Sequence, residues 1–73
     1  MDEYKGYGYV IAVNTFPERV EATLRFFPPG TDRRAPGEKF ATMQAATEQG
    51  AVGKVEGAFR TWIDGDRQQE RHS

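Results

Sequence analysis

An alternation of glycine and tyrosine near the start of the chain is its clearest candidate for binding chemistry. The stretch K-G-Y-G-Y-V places Lys5 close to Tyr7 and Tyr9, with a glycine before each tyrosine. Flat aromatic faces stack on the bases of single-stranded nucleic acid, and basic side chains follow its phosphates. With Arg25 on the next predicted strand, these residues form a candidate nucleic-acid site: Lys5, Tyr7, Tyr9 and Arg25.

The same stretch resembles the RNP1 motif of RNA-recognition domains, and cold-shock domains carry a similar run. Three features argue against that function. RNP1 has an aromatic residue at its eighth place, where this chain has Ala12, and a strand and helix precede it in those domains. The net charge of −1 also lacks the positive excess typical of phosphate binding. We therefore expect the tyrosines to pack on a core face, and weak single-stranded nucleic-acid binding is the alternative.

Period-two alternation predicts two strands, over residues 5–15 and Val20–Phe27, joined as an antiparallel hairpin. The first strand places Tyr7, Tyr9, Ile11 and Val13 on one face. A loop rich in proline and glycine follows, and then a short third strand near Phe40. A helix over residues 43–64, with Thr42 as its N-cap, would complete a ββ-β-α arrangement.

The helix prediction has a rival. Residues 43–64 carry an apolar stripe at helical spacing, made of Ala45, Val52, Val55, Phe59, Trp62 and Ile63. Their glycines each disfavour a helix by roughly 1 kcal/mol relative to alanine. The rival interpretation ends a short helix at Gly50 and makes residues 54–63 a strand, which gives ββαβ. Because the helical stripe is the more apolar, we expect one α+β domain over residues 1–64 and a flexible polar tail over residues 65–73.

Small size points to self-association. About 60 residues bury only ~60% of their unfolded surface, and a chain without cysteine has no disulfide to reinforce its fold. The bare sheet face and a stripe of small helix residues are the candidate protein interfaces: Val10, Ala12 and Phe27, with Gly50, Gly53 and Gly57. Phe27 is either covered by the loop or the helix end, or exposed for a partner. The glycine stripe is either a dimer seam or without function.

Catalysis and metal binding find no support in the residue types. The only histidine is His72 and the only serine is Ser73. No nucleophile–base pair, phosphate loop or metal-spaced set of ligands follows from such a composition. We therefore expect no enzyme activity, no metal and no cofactor.

Location and partners follow from patterning. No run of about 18 apolar residues is present to span a membrane, and the acidic N-terminus differs from a signal peptide, so the cytoplasm is expected. The predicted function is a small interaction module that forms a homo-oligomer or binds a protein partner.

Four short motifs are spread along the chain: Y-K-G-Y, F-F-P-P-G, F-A-T and A-F-R-T-W-I-D. In this set the chain resembles small, functionally uncharacterised bacterial proteins that have a tyrosine-led first strand, a Pro-Pro-Gly loop and a helix ending in Trp-Ile-Asp. The resemblance covers residues 4–64. It implies a ββ-β-α layout and no known activity.

Overall fold

An antiparallel sheet and one C-terminal helix form the described part of the chain. The computed structural model describes residues 2–30 and 37–72, with side chains up to residue 65. The elements are β1 (Asp2–Tyr4), β2 (Tyr7–Thr15), β3 (Val20–Phe27), β4 (Glu38–Ala45) and α1 (Glu48–His72). The strands lie side by side in the order β1-β2-β3-β4, and neighbours are antiparallel. The predicted α+β class and ββ-β-α succession are confirmed, with one additional strand at the start.

A two-residue turn explains the additional strand. Lys5 and Gly6 have φ angles of 51° and 89°, and Tyr4 pairs directly with Tyr7 across them. Positive φ at both central residues is the type I′ geometry, whose twist matches that of a hairpin. The predicted strand over residues 5–15 is therefore wrong at its start, because Lys5 and Gly6 form the turn and β2 begins at Tyr7.

The helix begins later than predicted because the residues before it belong to β4. Met43, the predicted first helical residue, lies in that strand, as does Thr42, whose hydroxyl lies 2.8 Å from that of Thr23. The prediction of Thr42 as the N-cap is therefore wrong. Thr47 has that role, since its Oγ1 accepts a hydrogen bond from the Gly50 N–H at 3.1 Å.

The core lies between α1 and the sheet. Every fourth helix residue is buried in it, namely Ala51, Val55, Phe59 and Ile63. They pack against Tyr9 of β2 and against the β3 residues Val20, Ala22, Leu24 and Phe26. Residues 54–63 are helical, so the ββαβ alternative is wrong.

The far end of α1 extends to His72, beyond the predicted end at residue 64. The predicted flexible tail over residues 65–73 falls mostly outside the described side chains and stays a prediction. Among the described residues, no helix combines the length and hydrophobicity that a membrane crossing requires.

Candidate self-association surface

The helix covers one face of the sheet. On the opposite face, here called the open face, no helix or further strand packs among the described residues. Val10, Ala12 and Arg25 are exposed there and Thr23 is half-buried, as the strand alternation predicts. Antiparallel sheets often leave one face to water, with polar side chains on it. The open face is therefore an interface candidate only where it is apolar.

Polar pairs occupy the β3–β4 half of the open face. The Thr23 and Thr42 hydroxyls lie 2.8 Å apart, and the Gln44 amide donates to the Glu21 carboxylate at 2.7 Å. These side chains satisfy one another across neighbouring strands. The exposed apolar side chains on the strands of the open face are thus confined to β2 among the described residues, where Val10 is 39% exposed.

The other face of β2 is also incompletely covered. The helix packs mainly on β3 and β4 and much less on β2. Ile11 and Val13 touch the core cluster, yet both stay half-exposed. Val10, Ile11, Ala12 and Val13 together are called the β2 surface below: four consecutive apolar residues at one side of the sheet, with some exposure on both faces.

Tyr9 is a core residue. It is 2% exposed, and its hydroxyl donates to the Glu56 carboxylate at 2.7 Å. Arg60 donates to the same hydroxyl at 3.5 Å and pairs with Glu56 at 3.6 Å. Burial first, and then the hydrogen bond to Glu56, raise the pKa of the Tyr9 hydroxyl above its ordinary value. This network ties the start of β2 to α1.

Tyr7 packs within an aromatic cluster at the same end of the sheet. Its ring centroid lies 6.2 to 6.3 Å from those of Phe26, Phe59 and Trp62. Trp62 is 43% exposed, so it covers this cluster from outside, whereas its predicted stripe placed it in the core. The expectation that both tyrosines face the core side of the sheet agrees with their positions.

The four residues of the nucleic-acid hypothesis do not share a surface. Tyr7 and Tyr9 face the helix, whereas Arg25 is exposed on the open face. Lys5 lies in the turn and forms an ion pair with Asp64, which also accepts a hydrogen bond from Tyr4. A buried Tyr9 ring has no free face for a base. Nucleic-acid binding stays a prediction that no geometric observation among the described residues favours.

Phe27 is covered within the chain, so its assignment to an exposed interface is wrong. It is 4% exposed. Gly37 approaches so closely that a Cβ there would lie 2.9 Å from Phe27 Cζ and 3.1 Å from the Phe26 carbonyl oxygen. Gly37, directly before β4, therefore lies against the ring, and coverage within the chain was the other possibility left by the sequence.

The glycine stripe is open along most of its length. A Cβ on Gly53 or Gly57 would meet nothing within 4 Å, whereas one on Gly50 would lie 3.1 Å from Thr47 Oγ1 and 3.2 Å from Ala45 Cβ. Gly53 and Gly57 are exposed. The dimer seam stays a prediction, because a row of small residues does not by itself identify a partner.

Ile11 and Val13 are the candidate interface residues that the sequence did not reveal. Their alternation with Val10 and Ala12 assigns them to the core face, correctly, but alternation does not say how far a helix extends across that face. One feature of the sequence indicated an interface here: residues 10–15 contain no charge and no proline.

The comparisons with known proteins found no relative of this chain. No protein-family model, curated protein or solved structure matches the chain. The resemblance to small bacterial proteins stays a prediction. Among the residues that the structure describes, no three His, Cys, Asp or Glu side chains lie together as metal ligands would.

Proposed function

We propose that this protein is a small, non-enzymatic interaction module of the cytoplasm that self-associates as a homodimer through the β2 surface. The observation that carries the proposal is the partial exposure of four consecutive apolar residues, with Val10 and Ala12 on one face and Ile11 and Val13 on the other. Burial of apolar area contributes roughly 25 cal/mol per Å², so covering this surface stabilises an assembly.

A second copy of the chain is the partner that the charges favour. The β2 surface is neutral, and therefore meets a copy of itself without like charges facing each other. An acidic or basic partner would find no opposite charge on these four residues. A two-fold homodimer, in which the same patch is used twice, is the commonest closed assembly.

The residue types support the non-enzymatic part of the proposal. The chain has no cysteine, one histidine and one serine, whereas acid–base and nucleophilic catalysis depend on such groups held together in a cleft. The hydrogen-bond network of Tyr9, Glu56 and Arg60 links β2 to the helix. The Tyr9 hydroxyl both donates and accepts within this network. A small domain without disulfides is also typical of a reducing compartment, which supports the cytoplasm.

The test measures molar mass against concentration by sedimentation equilibrium, for the wild type and two matched variants. Ala12 and Thr42 lie in one cross-strand row on either side of Thr23, and both are exposed. A12K places a charge on the β2 surface, and T42K places the same charge on the opposite edge. Urea unfolding of each variant checks that the monomer fold is intact.

The wild type is expected to approach twice the 8.2 kDa of one chain as concentration rises. A12K should weaken association by about tenfold or more, since a lysine side chain on a strand edge opposes pairing, and T42K should leave it within about twofold. A wild type that stays at 8.2 kDa up to millimolar concentration would refute the proposal. Equal weakening by both variants would show that another surface associates.

A further inference from the structure

The two edges of the sheet are unlike each other. β1 pairs with β2 only from Tyr7 to Tyr9, so residues 10–15 of β2 have no strand beside them on that side among the described residues. The backbone N–H and C=O groups that point outward there form a template for a further strand. The opposite edge is β4, along its whole length.

The β4 edge carries features that discourage strand addition, and residues 10–15 of β2 do not. It begins with Glu38 and Lys39, and its pairing with β3 shifts register between Leu24 and Arg25, where β4 bulges. Charges and bulges are the usual protection of exposed edges. Residues 10–15 have neither, and four of the six are β-branched, which favours strand pairing.

We infer that residues 11–15 of β2 pair antiparallel with the same residues of a second copy, which joins two four-stranded sheets into one continuous sheet. This inference rests on the proposed self-association and specifies how it occurs. Two antiparallel copies of one strand are related by a two-fold axis normal to the sheet, so both helices lie on the same side. Ile11 and Val13 of the two copies then meet between the helices, where each helix leaves β2 partly uncovered.

The geometry also selects a register. With both helices on one side, paired residues must share a face, so the axis passes through a residue pair such as Ala12 with Ala12 or Val13 with Val13. Centring on Ala12 would place Thr15 of the second copy opposite Tyr9, a position that Asp2 already occupies. Centring on Val13 pairs Ile11 with Thr15 and Ala12 with Asn14, and avoids that overlap.

The turn after β2 fits this register. Residue 16 of the second copy would come opposite Val10, one step before β1. The chain bends there, since the Phe16 N–H donates to the Arg19 carbonyl at 2.8 Å and Pro17 follows. The second copy therefore leaves the edge of the sheet before it reaches β1.

Amide hydrogen exchange of the wild type, followed by NMR from dilute to associated samples, tests the backbone pairing. Alternate amides within residues 11–15, whose N–H groups point away from β3, should exchange about tenfold or more slowly in the associated state. The outward amides of β4 are the internal control and should exchange at the same rate in both states.

A single cysteine tests the register, because the chain has none of its own. Val13 and Met43 lie in one row on either side of Ala22, and both are half-buried. Directly opposed residues of antiparallel strands have Cα atoms about 4.5 or 5.5 Å apart, within the range for a disulfide. V13C should form a covalent dimer under mild oxidation much faster than M43C.

The outcomes separate the two proposals. A monomer at every concentration refutes the self-association itself. A dimer whose outward amides at residues 11–15 exchange as in the monomer refutes strand pairing and leaves the proposed function in place. Slowed amides without cross-linking of V13C refute the register. Slowed amides with rapid cross-linking of V13C alone support the whole inference.

Discussion

Gly30 and Gly37 offer a sharp test of how Phe27 is covered. Their φ angles are nearly the same, 83° and 82°, in a region that alanine adopts only at a cost of about 1 kcal/mol or more. Around Gly30 a Cβ would meet nothing within 4 Å, but at Gly37 it would lie 2.9 and 3.0 Å from two ring carbons of Phe27. G30A therefore measures backbone strain alone, whereas G37A adds a steric overlap.

The overlap sets the expected difference. Overpacking in a well-packed site typically costs about 1 to 3 kcal/mol. G37A should thus lower the free energy of unfolding by about 2 to 4 kcal/mol and G30A by about 1 kcal/mol. A domain of this length has a stability of roughly 4 to 11 kcal/mol. G30A is therefore expected to fold across this range, and G37A to fold wherever the wild type lies above its lower end. Urea unfolding followed by Trp62 fluorescence measures the two losses.

A double-mutant cycle identifies the ring as the cause. F27L removes the two ring carbons that a Cβ at position 37 would meet, so G37A should cost less in that background than in the wild type. F27L itself should leave the self-association constant unchanged, because Phe27 is already covered by its own chain. Equal losses for G30A and G37A would refute the inferred contact, and so would a G37A cost that is unaffected by F27L.

Three further sets of substitutions have definite expected outcomes. T47A should lower the free energy of unfolding by about 1 kcal/mol through loss of the helix cap, while T42A, at the predicted but incorrect cap, should cost less because it loses only a surface hydroxyl pair; urea midpoints compare them. G53A and G57A should each raise that free energy by about 1 kcal/mol without changing the molar mass, and a weaker dimer would instead show that the glycine stripe is a seam. Y9F should cost about 1 to 2 kcal/mol below pH 10 through loss of the bond to a carboxylate. The pKa of Tyr9 is raised in the folded state, so the wild type should lose stability as pH rises through that pKa. The difference in free energy of unfolding between the wild type and Y9F should then shrink, and unfolding curves at pH 8 to 11 measure it.

The sequence predicts the faces of the strands well because side-chain alternation is a local property. Tyr9 and Leu24 are buried and Arg25 is exposed, as the period-two pattern requires. The break at Lys5 and Gly6 was missed for a local reason too. Lysine seldom adopts a positive φ, and a glycine before a tyrosine fits a strand as readily as a turn.

The start of the helix could not be predicted, because long-range pairing decides it. Met43 and Gln44 are good helix formers and follow a threonine that could cap a helix. In the structure they pair instead with Ala22 and Glu21 of β3. Sheet pairing here overrides a helical propensity that differs among ordinary residues by only a few tenths of a kcal/mol.

The exposure of two of the four residues in the β2 surface could be predicted from the sequence. The exposure of the other two depends on the width of the sheet. Val10 and Ala12 follow from alternation alone. The exposure of Ile11 and Val13 depends on where one helix rests across four strands. Adjacent strands are about 4.8 Å apart, so the four strands span roughly 14 Å between the outer axes, whereas a helix with its side chains is about 10 Å wide.

A single helix therefore leaves part of this sheet uncovered, and the two ends of β2 differ in how far their side chains reach the helix. At one end of β2 and on β1, Tyr9 and Tyr4 are long enough to reach Glu56 and Asp64 on the helix. Farther along β2, Ile11 and Val13 are short and aliphatic, so they offer no such bridge and remain half-exposed. β1 does not extend beside this stretch of β2, and the stretch bears no charge. Incomplete coverage by the helix and an unpaired strand edge thus coincide in the same few residues. One contact with a second copy would bury the exposed side chains and pair the free backbone groups.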